Sequence, residues 1–539
     1  MRLGESRDIT NTVLRSQPVH QPMIFSNVLS RPTRFIPESS ASSSASTREL
    51  GRVDASLLQD SANETGVGPS GDRALYETLL HGNAGDQLTP LVRTAASDRI
   101  HALLQETAKL PCELPESVEQ LSAWMTDSVE ATGHRYQAYL ARRKAGGSRE
   151  YFSTRSHALA FLRAVAPTKL VDGAWLYGLM GNWRNPRFND LIHTYVEELG
   201  DGSPDKNHVL LYRQLLQSHG IDDWEAQPDS SYTQGALQLA LAACTEEFLP
   251  EVIGFNLGYE QLPLHLLITA YELNELGIDP YYFTLHVTVD NAASGHARRA
   301  VQSIAEALPQ LEGGEAFWQR IRNGFKLNDT GIGTNAAIAA FDLDAEFHRV
   351  LGQKSAEGRV AHSDYCRIEG RTVNEWLADP QGIAGFVGAL ERKGWLRRGG
   401  DPAESRFWQM LRGERAEMFG VFSEYELQVI YDWLRGDASA DGARVPPDDA
   451  TAPRAPRSFR HQRRAQAGLA TAGSNQGAMD LAALDPDAAT LEQRLASGSD
   501  QQETEKLLLK LMGPAHHWSV AGLHATRIFA NRMLNHRVA

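Results

Sequence analysis

The feature that most restricts the fold is a long series of apolar segments at helical spacing between about residues 71 and 435. "NDLIHTYVEELGDG" ends at a glycine pair, and "PDKNHVLLYRQLLQSHG" begins after a proline and stops at Gly220. Proline near the first residue and glycine after the last are common helix boundaries. "VTV" (287–289) would suit a strand, but its flanks continue at helical spacing and no hairpin partner is near. The sequence therefore predicts an all-α fold.

Two polar, low-complexity segments divide the chain. At 539 residues the chain is too long for one hydrophobic core. Residues 1–70 contain "ESSASSSAST", and residues 436–477 are rich in Pro, Ala, Gly and Arg, so we expect a disordered N-terminal segment and a disordered linker. Between and after them we predict a helical bundle (71–352), a helical extension (353–435) and a C-terminal helical tail (478–539). Since the linker is long and polar, we expect few contacts between tail and bundle.

The composition argues against several classes of protein. There are 53 basic and 67 acidic residues, a net charge of −14, which disfavours binding to nucleic acid. The three cysteines lie more than a hundred residues apart, which favours a reducing compartment without disulfides. No apolar run is long enough to span a membrane, and the first residues lack the apolar region of a secretory signal. We therefore expect a cytoplasmic protein.

Carboxylate and imidazole side chains stand at places where several helices could bring them together. A helix bundle builds a metal site from such groups on different helices. The candidates are three carboxylates and three imidazoles: Glu198, His208, Glu260, His286, Asp290 and His296. Carboxylates with imidazoles and no thiolate suit iron or manganese better than structural zinc. Glu251 competes with Glu260, because both lie in the mostly apolar stretch "PEVIGFNLGYE".

The segment "TLHVTVDNAASGH" (284–296) poses a geometric problem. His286 and Asp290 are four residues apart and share one face of a helix, whereas His296 would point away from Asp290 on a regular helix. The segment is therefore either a metal site on a deformed helix or three polar residues on a solvated one. Glu198 as a solvated carboxylate and His208 as a surface residue are the corresponding simpler interpretations.

A second group of histidines lies near the C-terminus. His516, His517 and His524 occur in "GPAHHWSVAGLHATR" without an acidic residue among them. We interpret them as ordinary histidines of the tail, which we expect to be unnecessary for metal binding.

Residues of about 150–435 resemble the haem-oxygenase-like diiron oxidases and oxygenases, in the group called iron-containing redox enzymes. "EELGDGSPDKNH" supplies Glu198 and His208, "LGYE" or "PEVIG" supplies the next Glu, and "HVTVD" supplies His286 and Asp290. The resemblance implies a haem-oxygenase-like helical bundle with two irons per chain, dioxygen as co-substrate, and all six candidates as ligands. It also implies oxidation of a small substrate resembling an amino acid, an amine or a fatty acid, by N-hydroxylation, desaturation or C–C cleavage. An external electron donor and a homodimer stay open.

One position departs from the pattern of this group, which has His-x3-Asp-x2-His on one helix. The last histidine would fall at Ala293, and the nearest histidine is His296. A π-bulge or local unwinding at "NAASG" would return His296 to the metal; otherwise the second iron has one ligand fewer. "VDGAWLYGLMGNW" (171–183) is our candidate for part of the substrate pocket.

Two other functions are compatible with parts of the sequence. A haem-binding protein of the same fold would use one histidine as axial ligand, which leaves the carboxylates unexplained. "GFVGALERKGWLRRGG" (385–400) has the helix and basic hairpin of a winged-helix regulator, but the net charge is acidic. The diiron enzyme therefore remains the main prediction.

Overall fold

The computed structural model describes residues 69–82, 88–289, 295–309, 312–358, 362, 365–379, 382–412, 416–436, 485–498 and 500–538. Nearly all regular structure in these ranges is helical. The α-helices up to residue 243 are α1 (Asp72–Gly82), α2 (Pro90–Thr107), α3 (Leu121–Lys144), α4 (Arg155–Ala164), α5 (Ala166–Lys169), α6 (Asn189–Glu198), α7 (His208–Gln217) and α8 (Thr233–Ala243). The next are α9 (Thr245–Tyr259), α10 (Leu264–Glu275), α11 (Tyr281–Val289), α12 (His296–Ala307), α13 (Gly314–Lys326), α14 (Thr334–Ala339) and α15 (Leu343–Gly358).

The remaining α-helices are α16 (Val373–Leu377), α17 (Ile383–Arg392), α18 (Arg406–Arg412), α19 (Glu424–Arg435), α20 (Pro486–Ala496), α21 (Gln501–Leu511) and α22 (Val520–Val538). Short 3-10 helices include Ala174–Asn182 and Gly200–Gly202. Strands β1 (Arg367–Ile368) and β2 (Arg371–Thr372) form a two-residue antiparallel ladder. No helix in the described ranges is long and apolar enough to cross a membrane.

These elements confirm the predicted all-α fold. "VTV" forms the end of α11, so the helical residues before it outweighed the β preference of its valines. The strand pair precedes α17, and residues 393–400 after α17 form turns and bends, so the expected hairpin of a winged helix does not follow this helix.

Two hydrophobic clusters form the core, and chain segments pass from one to the other. The first contains side chains of α2, α6, α8 and α9, and the second contains side chains of α4, α7, α10 and α11. Leu170 belongs to the second cluster and the next residue, Val171, to the first. Likewise, Leu199 packs in the first cluster and Val209 in the second. Residues close to these two crossings in the sequence lie at the junction of the two clusters.

The extension predicted to begin at residue 353 is continuous with the bundle. The helix α15 runs across this position, and its Phe347 stacks on Trp433 of α19 with ring centroids 4.0 Å apart. The Asp432 carboxylate accepts a hydrogen bond of 2.8 Å from the backbone N–H of Ser156, at the start of α4. The boundary at 352 and 353 therefore does not separate two cores, because α15 and α19 pack in the same cluster as α4.

The expectation of few contacts between tail and bundle is wrong. Leu508, Met512 and Phe529 of the tail are buried in the first hydrophobic cluster. The Trp183 indole N–H donates a hydrogen bond of 2.9 Å to Glu505, which also pairs with Arg184. Burial of these apolar side chains is favourable enough to hold the tail against the bundle, although a long segment separates the two along the chain. The linker prediction for 436–477 falls outside the described residues except for Gly436, as does the predicted disorder of 1–70 except for 69 and 70.

Candidate metal centre

The predicted ligand residues of the described ranges meet at the junction of the two hydrophobic clusters, most of them at a helix end. Glu198 is the last residue of α6, and His208 is the first residue of α7. Glu260 directly follows α9, and His296 is the first residue of α12. His286 lies within α11. The side chains thus come from several helices, as a metal site inside a helix bundle requires.

The short connection between α6 and α7 explains how two residues ten positions apart come into contact. Gly200, Asp201 and Gly202 all have positive φ, at 68°, 53° and 79°, which turns the chain back sharply. A Cβ at Gly200 would lie 2.5 Å from the backbone nitrogen of Asn207, so only glycine allows this approach. The sequence "GDG" therefore brings Glu198 next to His208.

The first ligand group consists of two carboxylates and two imidazoles. Asp172, Glu198, His208 and His286 are buried, and each offers a ligand atom within 4.8 Å of those of the others. His208 Nδ1 contacts Glu198 Oε2, and His286 Nε2 lies 3.2 Å from Asp172 Oδ2. The two imidazole rings have their centroids 4.2 Å apart. This group can surround one metal ion.

The second ligand group shares Glu198 with the first. Glu198, Glu260 and His296 likewise offer ligand atoms within 4.8 Å of one another. His296 Nδ1 lies 3.1 Å from Glu198 Oε1 and 3.1 Å from Glu260 Oε2. The two oxygens of Glu198 thus face different groups, Oε2 the first and Oε1 the second. A carboxylate placed in this way can bridge two metal ions.

The orientation of two imidazoles directs a ring lone pair at a carboxylate. His286 Nδ1 donates to the Tyr282 carbonyl oxygen at 2.8 Å, so the neutral ring has its lone pair on Nε2, facing Asp172. His296 Nε2 lies 2.9 Å from Glu197 and Nδ1 lies 3.1 Å from Glu198 and Glu260, so a proton held on Nε2 by Glu197 leaves the lone pair of Nδ1 facing the two ligand carboxylates. A lone pair and a carboxylate oxygen repel each other unless a proton or a metal ion lies between them, and both are cations that this position accepts. The arrangement therefore fits one metal ion at each group.

Asp172 is the functional candidate that the sequence analysis missed. It lies between α5 and the 3-10 helix Ala174–Asn182, with its carboxylate fully buried. Its oxygens also accept hydrogen bonds from the Tyr259 hydroxyl at 2.7 Å and the Tyr282 hydroxyl at 2.5 Å. A signal was present, because Asp172 is the acidic residue of the apolar stretch "LVDGAWLYGLM". The cost of burying a carboxylate, which favoured Glu260, applies equally to Asp172.

The deformation expected near "NAASG" is partly within the described chain. The helix α11 ends at Val289, and Gly295 before α12 has extended backbone angles of −88° and −164°. His286 and His296 are therefore on different helices, and His296 returns to the site. Asp290 and Ala293 lie outside the described residues.

Glu251 does not contact either ligand group. Its carboxylate forms a two-point ion pair with Arg320, at 2.7 Å to Nε and 2.6 Å to Nη2. An Arg fork of this kind satisfies both carboxylate oxygens. The geometry thus favours Glu260 over Glu251 as the ligand.

Residues outside the ligand groups fix the orientation of the ligands. Glu197 accepts the hydrogen bond from His296 and pairs with Arg299. A carboxylate behind a histidine sets its tautomer and strengthens its binding to metal. Lys169 donates a hydrogen bond of 2.9 Å to the Tyr259 hydroxyl, which in turn donates to Asp172. Charged residues next to the ligands therefore hold a ligand side chain of each group in place.

A glycine allows Glu198 and the Asp172 turn to approach each other. Gly173 has φ of +81°, and a Cβ there would lie 2.9 Å from Glu198 Cβ and 3.1 Å from Glu198 Cγ. Real Cβ atoms do not approach so closely, and a side chain is strained at this φ. Gly173 is therefore needed to bring the shared carboxylate against the turn that carries Asp172.

The charge balance of the site also favours bound cations. Asp172, Glu198 and Glu260 are each at most 3% exposed, and buried carboxylates without compensation are costly. Burial alone would raise the pKa of Asp172, but Lys169 and a proton on His286, which occupies the place of a metal ion, lower this pKa below its ordinary value. Burial acts on Glu198 in the same sense, and protons on His208 and His296 hold the pKa of that carboxyl well below its ordinary value. Carboxylates with imidazoles are ligands that iron and manganese accept.

The three histidines of the tail differ in their surroundings. His517 is 1% exposed and contacts Asn207, the residue before His208. His524 forms an ion pair with Glu492, also in the tail. His517 therefore contacts a residue 310 positions earlier in the chain, and the expectation that the three histidines are unnecessary for metal binding stays a prediction.

Comparisons with known proteins bear on the segment that contains the site. Residues 159–329 match the family model described as iron-containing redox enzyme. The matched segment contains all members of both ligand groups, whereas the extension and the tail lie beyond it. No curated protein and no solved structure matches the chain. The segment 159–329 therefore carries the match to the iron-containing redox enzyme family that the sequence resemblance predicted.

Proposed function

We propose that this protein is a non-haem diiron enzyme that uses dioxygen to oxidise a small molecule. The observation that carries this proposal is the shared position of Glu198 between two buried ligand groups. In carboxylate-bridged sites of helix bundles, two iron ions are held by Glu, Asp and His from several helices. The match to an iron-containing redox enzyme family supports iron over manganese.

The described residues divide between two metal positions. Asp172, His208 and His286 would hold one iron, Glu260 and His296 would hold the other, and Glu198 would contact both. Asp290 remains a proposed ligand because of the motif that it completes with His286. Two ferrous ions at these positions would supply electrons for the reduction of dioxygen.

The chain's own residues orient these ligands and exclude water. The Tyr282 carbonyl holds a proton on Nδ1 of His286, and Glu197 can hold a proton on Nε2 of His296, so the opposite nitrogen of each ring would be the one that binds metal. The ligand residues are almost fully buried, which limits access of bulk water to the reacting oxygen.

A buried amide beside the site favours a substrate with a polar group close to the reacting atom, as in amino acids and amines, over the apolar chain of a fatty acid. Gln238 of α8 is fully buried and lies close to the Tyr259 hydroxyl, the donor to Asp172. Neither its Oε1 nor its Nε2 forms a hydrogen bond of ordinary geometry. A buried amide whose hydrogen bonds are incompletely satisfied costs stability, and such groups are typical of sites that bind a polar molecule. Oxygen uptake with panels of amino acids, amines and fatty acids tests this preference, and turnover of fatty acids alone would contradict it.

We expect the full chain, purified without oxygen, to contain about two iron ions. Elemental analysis gives the number and type of metal, and the absorbance spectrum separates this proposal from a haem protein of the same fold. A Soret band with one haem per chain, or zinc in place of iron, would contradict the diiron site. Oxygen uptake by the reduced protein is the corresponding test of reactivity.

Replacing Glu260 by Gln is expected to lower the iron content from about two to about one per chain, because a neutral amide is a poorer ligand than a carboxylate. Glu251→Gln is the matched control, since it makes the same chemical change in the same helical region but outside both ligand groups. Equal iron contents for the two variants would show that Glu260 is not a ligand. Loss of iron only in Glu251→Gln would reverse the assignment.

A further inference from the structure

The C-terminal tail reaches the back of the metal site although it lies beyond the segment that matches the family. The helices α20, α21 and α22 follow that segment by more than 150 residues along the chain. The tail nevertheless contacts the chain on both sides of the Gly200–Gly202 turn, at Tyr195 of α6 and at Asn207, the cap of α7, through Met512 and His517 between α21 and α22, and it contacts the turn itself through α22. These contacts are polar and directional, in addition to the apolar packing of the tail.

The first contact is at the start of α7. Asn207 caps this helix, because its Oδ1 accepts a hydrogen bond of 3.0 Å from the backbone N–H of Leu210. Its Nδ2 lies 3.2 Å from the Leu199 carbonyl oxygen, 3.3 Å from the His517 carbonyl oxygen and 3.1 Å from His517 Nδ1. Burial lowers the pKa of His517 to about 3, so the ring is neutral and its Nδ1 can accept from Asn207. The amide next to His208 is thus held by a tail histidine.

Further contacts fix α6 and the turn that follows it. The Tyr195 hydroxyl, one helical turn before Glu198, donates a hydrogen bond of 2.6 Å to the Met512 carbonyl oxygen. The Gly202 carbonyl oxygen accepts a hydrogen bond of 3.1 Å from Arg527. A Cβ at Gly202 would lie 2.4 Å from the Leu523 carbonyl oxygen, so only glycine lets α22 come this close.

We propose that the tail completes the metal centre, and that His517 is a positioning residue that holds His208 in place through Asn207. This inference rests on the proposed function, because it assumes that the two ligand groups bind iron. The tail also braces the Glu198 side of the centre through Tyr195 and Gly202. The segment 159–329 therefore supplies the ligands, and the tail holds two of them in register.

The physical basis is the small tolerance of a metal site. Ligands must stay within about 0.5 Å of their working positions, which requires support from the residues behind them. Without the His517 ring, Asn207 Nδ2 loses one of its acceptors, and the first turn of α7 can shift. His208 is the first residue of that turn, so its distance from Glu198 changes directly.

The test compares variants of the full chain. We expect His517→Ala to weaken iron binding about 10- to 100-fold, the usual effect of losing a residue behind a metal ligand. His517→Gln keeps an acceptor that can face Asn207 and should recover most of the affinity. His524→Ala is the matched control, because His524 lies in the same tail and pairs only locally with Glu492. Affinity is measured by competition with an iron chelator, and helicity and thermal unfolding are recorded on the same samples.

Iron binding by His517→Ala with unchanged affinity would overturn the positioning role. Equal weakening by His524→Ala would also overturn it, since the effect would then reflect general tail stability. If His517→Ala does not fold, Asn207→Ser decides, because serine keeps the cap of α7 but removes the amide that contacts His517. Asn207→Ser with full affinity would contradict the inference. Failure of the wild-type chain to bind iron would instead contradict the proposed function.

Discussion

Replacing Glu198 by Gln is expected to remove both irons from the chain. Glu198 contributes one oxygen to each ligand group, so a single substitution weakens both metal positions at once. The amide retains one oxygen, loses the negative charge and places an NH2 group against a histidine. The loss should exceed the roughly 10- to 100-fold effect expected for residues behind the ligands.

Glu197→Gln is the control for this prediction, because the two residues are adjacent and undergo the same chemical change. Among the ligands that the structure describes, Glu197 contacts His296 alone, so its substitution should weaken one iron and leave the other in place. Iron content after dialysis against chelator separates the two variants. If Glu198→Gln kept one tightly bound iron, Glu198 would belong to one group only, and the bridging assignment would be wrong.

Replacing Gly173 by Ala is expected to destabilise the protein and to displace Glu198. The positive φ of Gly173 costs about 1–3 kcal/mol for a residue with a side chain. The added methyl group also meets Glu198 Cβ and Cγ, and overpacking of this kind costs about 1–3 kcal/mol more. Glu198 must then move by several tenths of an ångström, and iron binding should fall together with stability.

Gly146→Ala separates the two contributions. Gly146 has φ of +87°, and a Cβ there would have no neighbour within 4 Å, so this variant is strained only in its backbone. Chemical denaturation of both metal-free variants gives the free energies of unfolding, and iron content is measured on the same preparations. Similar losses of stability, with full iron in Gly173→Ala, would show that the contact with Glu198 does not matter.

The sequence was most informative where the determining interactions are local. Apolar spacing together with glycine and proline predicted α6 and α7, because helix formation depends on neighbouring residues. Ligand chemistry, the places of the residues on predicted helices and the family resemblance selected Glu198, His208, Glu260, His286 and His296, which the structure brings together, and also Asp290, which lies outside the described residues. Their assembly depends on contacts between distant segments, so the match to a known motif carried that part of the prediction.

The missed features have a common physical origin. Asp172 does not belong to the His-x3-Asp-x2-His motif from which the ligands of α11 were predicted. Its burial follows from packing between two hydrophobic clusters. Few contacts of the tail were predicted because the linker before it is polar. Its position instead depends on apolar side chains such as Phe529 and on hydrogen bonds to α6 and to the cap of α7. Spacing along the chain cannot reveal contacts between residues that are several hundred positions apart.

The contact between Asn207 and His517 has a consequence for biosynthesis. A ribosome adds His517 to the growing chain 310 residues after Asn207. A nascent chain can therefore present every proposed ligand while the segment that steadies His208 is still unmade. We expect such a chain to take up iron poorly, so that the protein would acquire the proposed irons only after translation has passed the tail. Arrested nascent chains of increasing length, assayed for bound iron, would reveal a sharp gain once the tail has left the ribosome.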